Sequence, residues 1–139
     1  MRPGPPEPQN DAVCASATRR WYKNGVDQLK VSVSAEGAYS LVTLAGESDM
    51  NTRGTLRDAL TQAAAQPARH LIVDLSELEF IDSAAMHELM EARASFGGAG
   101  GQLALVAPQP LVARVLNLTG ADQVVPVYPD LRSAVAAAS

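Results

Sequence analysis

Between residues 70 and 96 the chain reads HLIVDLSELEFIDSAAMHELMEARASF, an apolar run that stops at Asp82-Ser83 and passes at once into helix-forming residues. Leu71 to Val73 with Leu75 fit a short strand covered on both faces. From Ser83 to about Phe96, Met86, Leu89, Met90 and Arg93 recur at three- and four-residue steps and line one helix face. A buried strand feeding a helix through a two-residue junction restricts the fold to a few layered arrangements.

The flanking segments extend the alternation. Leu29, Val31 and Val33 interleave with Lys30, Ser32 and Ser34, the period of a half-buried strand, and Glu36-Gly37-Ala38 turns it into a second strand over residues 39–46. Leu56, Ala59, Leu60 and Ala63 form the apolar stripe of a helix over 52–66, capped by Asn51 or Thr52 and ended by Pro67. After the break GGAGG at 97–101 come a strand at 102–107 and a helix closed by Gly120. A strand in VVPVY and a last helix capped by Asp130 complete the series. A hairpin followed by alternating helices and strands predicts an α/β fold, a mixed sheet of about five strands packed with about four helices.

The 139 residues suit one domain, and 47% hydrophobic content is enough for a core, an aliphatic one because only 4% of residues are aromatic. Residues 1–27, with Pro3, Pro5, Pro6 and Pro8, read as a disordered tail whose end Trp21 and Tyr22 anchor; the domain is expected over 28–139. A net charge of −4 and no basic cluster beyond Arg19-Arg20 argue against nucleic acid. No stretch approaches the roughly 18 apolar residues of a membrane span, and the N-terminus lacks the apolar heart of a signal peptide, so the expected location is cytoplasmic. Cys14 stands alone and has no cationic neighbour to lower its pKa.

Enzyme signatures mostly fail. Gly46-Glu47-Ser48-Asp49-Met50 lacks the second glycine of a nucleophile elbow, and GGAGG leads from helix to strand, where a phosphate-cradling loop must do the reverse. His70, His87 and one cysteine make no metal site of familiar spacing. Ser83 and His87 share a helix face four residues apart, a conceivable dyad without an orienting group or oxyanion hole; it would predict ester turnover lost in Ser83→Ala. Asp82-Ser83 reads in two ways: as a helix N-cap, or as an exposed serine at the sheet rim where a phosphate would add about −1.5 to −2 charges without melting its own helix.

Several motifs in order carry a family likeness: Gly46-Glu47-Ser48-Asp49 after the second strand, Asp74-Leu75-Ser76, Phe80-Ile81-Asp82-Ser83, and Leu118-Thr119-Gly120 ending a helix. With them, residues 29–138 resemble a STAS domain of the anti-anti-sigma factor type. The resemblance implies a non-enzymatic regulator of bacterial transcription that needs no cofactor. Its partners would be an anti-sigma factor serine kinase, which uses ATP, and a metal-dependent phosphatase of the PP2C type, with neither nucleic acid nor membrane insertion, and a monomeric or weakly dimeric state. By position Ser83 matches the phosphorylated serine, Asp82 the acid before it and Asp49 the acid of the neighbouring loop. The surface expected to dock the kinase comprises Asp49, Asp82, Ser83, Ala84, Met86 and His87. The family commonly follows its aspartate with Ser-Ser-Gly-Leu, whereas here Ser83-Ala84-Ala85-Met86 places a methyl group where a partner backbone would approach. The other reading implied is an unphosphorylated STAS scaffold or accessory subunit of a transporter or stress-signalling complex.

Overall fold

Glu36 faces Tyr39 across the two-residue turn Gly37-Ala38, with Gly37 at φ +73°, a backbone region that glycine enters without a Cβ penalty. This hairpin joins β2 (Leu29–Glu36) to β3 (Tyr39–Ser48), antiparallel to each other. The computed structural model describes residues 21–22, 29–98 and 100–138. The two-residue β1 (Trp21–Tyr22) pairs antiparallel with β2 and forms the edge of the sheet. These two residues fall within the segment that the sequence assigned to the tail; the rest of that segment, Cys14 included, lies outside the described residues.

Beyond the hairpin every added strand is parallel. The chain climbs from β3 through α1 (Arg53–Ala64) to β4 (His70–Ile81), through α2 (Ser83–Gly98) to β5 (Leu103–Val106), and through α3 (Pro110–Thr119) to β6 (Val127–Tyr128). Strand order follows chain order, β1-β2-β3-β4-β5-β6, and α4 (Leu131–Ala138) ends the fold.

The main core lies between one sheet face and α1, α2 and α3. Leu56 and Leu60 of α1, Leu89 and Phe96 of α2, and Val112 and Leu116 of α3 pack there against Val31, Val42, Leu44, Val73, Leu75 and Leu105. Four aliphatic positions predicted for α1, Leu56, Ala59, Leu60 and Ala63, are all buried. The opposite face holds a smaller cluster, Leu41, Ile72, Val106 and Ala134, with Tyr39, Tyr128 and Leu131 packed against it. Burial on both faces explains the unbroken apolar run in β4. Ser32 and Ser34, expected on a solvent face, are buried too.

Element ends differ from expectation where loop chemistry intervenes. Neither Asn51 nor Thr52 caps α1 with its side chain. Asp49 instead accepts from the Asn51 and Thr52 N–H groups, 2.9 and 3.2 Å, and heads a short 3-10 turn, Met50–Thr52, that leads into the helix. The last strand is only Val127–Tyr128, because the chain leaving the left-handed Gly120 (φ +79°) makes a second 3-10 turn at Ala121–Gln123 before it reaches the sheet. Asp130 does cap α4, accepting from the Ser133 N–H at 2.8 Å, and that bond lowers its pKa. At Gly101 a Cβ would stand 1.7 Å from the Arg69 carbonyl oxygen, so the glycine is needed for close backbone approach.

Candidate functional site

Parallel strands deliver their following loops to one end of the sheet, where open α/β folds place their sites. There the loop after β3 meets the junction between β4 and α2. The β3–β4 ladder shifts register between Thr43 and Ala45 and again between Gly46 and Glu47, each time with one extra residue on β4, and Gly46 sits at φ +106°. Such bulges bend β4 and re-aim the residues beyond them, Phe80 and Asp82 among them.

Asp82 joins the two loops. Its N–H donates to the Ser48 carbonyl at 3.1 Å, which fixes it to the end of β3. Its Oδ1 accepts from the Ala85 N–H at 3.1 Å, the N-cap bond of α2, and its Oδ2 accepts from the Met50 N–H at 3.1 Å, 32 residues away in sequence. One carboxylate thereby starts the helix and ties it to the neighbouring loop. Asp49 is engaged in its own loop, because Thr52 completes a capping box by accepting from the Asp49 N–H at 2.9 Å.

Ser83, the first residue of α2, is exposed, and its hydroxyl has no hydrogen-bond partner among the described residues. The cap is thus Asp82, and Ser83 is left unengaged beside it. His87, one turn on, is exposed, with Nε2 3.8 Å from Glu91 Oε2; Ala84 is half-buried. Glu91 stands too far from His87 for the hydrogen bond by which an acid orients the base of a serine-histidine arrangement.

Two expectations for this surface are corrected. Met86 is 7% exposed and belongs to the main core, since it lies three residues before Leu89 on the face of α2 that packs on the sheet; a partner cannot read it without unfolding the helix. Ala85, whose methyl group was expected to meet a partner, is fully buried and points inward.

The structure also brings up residues that the sequence did not mark. Met50, 69% exposed, and Phe80, 40% exposed, are large apolar side chains at the same end as Ser83. Met50 had a faint signal, an apolar residue in the polar loop Glu47-Ser48-Asp49-Met50-Asn51; Phe80 had none, because the bulged strand hides which face it takes. Beside the rim, α1 and α2 are clasped by Glu88. This carboxylate is 5% exposed and accepts from Arg53 Nε at 2.6 Å and from Arg57 Nε and Nη2 at 3.2 and 3.0 Å. The Arg57 hydrogen bond, seconded by Arg53, outweighs the cost of burial and lowers the Glu88 pKa to about 2.

Among the described residues no group of three or more His, Cys, Asp or Glu could hold a metal ion, and no helix is long and apolar enough to cross a membrane.

Comparison with known proteins agrees with this architecture. A Mycobacterium tuberculosis protein, provisionally named an anti-anti-sigma factor, is 32% identical over 109 residues, 77% of this chain and 74% of its own. An anti-sigma F factor antagonist of Paenibacillus polymyxa is 25% identical over 101 residues, 72% of this chain and 86% of its own. The crystal structure of an anti-sigma factor antagonist from Mycobacterium paratuberculosis superimposes with a TM-score of 0.74 at 31% identity, covering 84% of this chain and 98% of that one. The STAS domain profile matches residues 30–134, the span that carries both cores and the rim of Asp49, Asp82 and Ser83, and the chain belongs to the STAS domain family.

Proposed function

We propose that this chain is a non-enzymatic anti-sigma factor antagonist that docks a kinase-type anti-sigma factor and so frees a sigma factor, with phosphorylation of Ser83 as the off switch. The relatives' names support the general role. The observation that carries the switch is the Ser83 hydroxyl, exposed and unengaged on a helix start that Asp82 holds rigid. The docking surface is built from Asp49 and Met50 on one loop, and Asp82, Ser83, Ala84 and His87 on the other.

The kinase partner transfers the γ-phosphoryl group of ATP to Ser83 Oγ, ADP leaves, and the hydroxyl proton passes to a base of the kinase. The dianion then sits at the positive end of α2, which it stabilises. It therefore leaves the fold intact and repels the partner by charge and bulk, until a PP2C-type phosphatase hydrolyses it. Ala84 and Ala85 in place of Ser and Gly do not obstruct this, since the methyl group of Ala85 faces the core.

Intact-mass spectrometry tests the reading. The chain and its Ser83→Ala variant are incubated with ATP and each kinase-type anti-sigma protein of the source organism. One added phosphate on the wild type and none on the variant is expected; tight binding without phosphate leaves an unswitched antagonist, and neither binding nor phosphate removes the reading.

A further inference from the structure

Between α1 and α2 runs a cavity of about 540 Å³ that adjoins the docking surface through His87, while Ser83, Asp49 and Asp82 do not line it. Its lining divides by chemistry: Arg53 and Arg57 at the end where the helices begin, Leu60, Ala64, Ala92 and Phe96 farther along. Small-molecule sites have volumes of roughly 300–1,000 Å³, a largely apolar wall and a few convergent polar groups. This cavity has the volume and the convergent polar groups, and its apolar part is the patch of Leu60, Ala64, Ala92 and Phe96.

The arginines are held ready for a ligand. Arg53 uses only Nε to reach Glu88, and Arg57 uses Nε and Nη2, so Nη1 and Nη2 of Arg53 and Nη1 of Arg57 have no partner among the described residues. The free edge of Arg53 is the two-pronged fork that matches a carboxylate or phosphate. Glu88 accepts two of these bonds at Oε2 and one at Oε1, so this carboxylate orients the guanidinium groups. Glu91, the other acid of the lining, stands 3.8 Å from His87, which lines the cavity too. Asp58, next to Arg57 in sequence, does not line the cavity.

We infer that the α1–α2 cavity is a binding site for a small organic anion, a carboxylate or phosphate head on a short apolar body, with the head on Arg53 and Arg57 and the body against Leu60, Ala92 and Phe96. The inference does not rest on the docking reading: of the docking residues only His87 lines the cavity, and neither Ser83 nor a partner protein takes part.

The test titrates the full chain with hexanoate and hexyl phosphate, with acetate and hexanol as controls, following the arginine Nε–H and Phe96 ring resonances by NMR. At least one six-carbon anion should shift both sets saturably below about 1 mM, with acetate and hexanol at least about tenfold weaker. Arg53→Gln should weaken binding about tenfold or more. Ala64→Phe, which fills the cavity from an exposed position and leaves the Glu88 bonds alone, should abolish it. Absence of saturation by either anion up to about 10 mM would overturn the inference. So would hexanol binding as well as hexanoate, or affinity unchanged in both Arg53→Gln and Ala64→Phe. If only acidic peptides from a partner protein saturate the same resonances, the groove is a protein contact and the small-anion site is likewise overturned.

Discussion

At the scale of single residues, Asp82 holds the site together and Ser83 is free to be used. Replacing Asp82 by Ala orphans the Ala85 and Met50 N–H groups, and urea denaturation should show a loss of about 1–2 kcal/mol. Asn, which keeps one acceptor oxygen, should lose less. The reverse is expected at Ser48, a fully buried residue whose hydroxyl is the buried polar side-chain atom left without a partner among the described residues. Ser48→Ala should gain about 1 kcal/mol in the same measurement, by removing the cost of desolvating that group. The cap at Asp82-Ser83 was legible because Asp and Ser at a strand-to-helix junction have few other uses. The burial of Met86 was equally legible from its spacing to Leu89 and Met90, but assigning it to a docking surface ignored the helix face that spacing defines.

Among the elements, the contact of α1 with α2 depends on a charge. Glu88 titrates at about 2 in the fold against an ordinary value of 4.5, so it binds its proton more weakly folded than unfolded. Its contribution to stability is then fully present above about pH 4.5 and is lost as the pH falls toward 2. Glu88→Gln should flatten that part of the acid-unfolding curve and leave the profile above pH 5 parallel to wild type. Circular dichroism at a series of pH values would check it. No local pattern announced this clasp, since Glu88 lies 35 and 31 residues from Arg53 and Arg57 and each reads as an ordinary helix-surface charge. Helix and strand identities were readable from periodicity, whereas the ends were not: Asp49 took the cap expected of Asn51 or Thr52, and β6 shrank behind the turn after Gly120. Both shifts come from side-chain or backbone hydrogen bonds that hydrophobic pattern does not encode.

For the whole molecule, the parallel half of the sheet gathers the loops after β3, β4 and β5 at one end, and under the proposed function that end is where a partner docks. Ser83→Glu should leave the denaturation midpoint within about 0.5 kcal/mol of wild type yet weaken an anti-sigma partner at least about tenfold in a titration. Met50→Asp should weaken the same partner by a similar factor without phosphate chemistry, because an exposed apolar side chain in a docking patch contributes through desolvation. Order along the chain was enough to predict the layers. It was not enough to predict which side chains of the rim face outward, since two register shifts along the β3–β4 ladder re-aim the end of β4.

The bond from the Met50 N–H to Asp82 has a kinetic consequence. Under the proposed function, two loops that meet the partner are joined before it arrives, so little conformational freedom remains to be lost on contact. Association should then proceed at a rate governed by diffusion and charge, nearly insensitive to the viscosity-independent rearrangements that slow flexible recognition loops. In Asp82→Ala the tether is gone, and the partner would meet two independent segments: encounters would be as frequent, but fewer of them would mature into a complex.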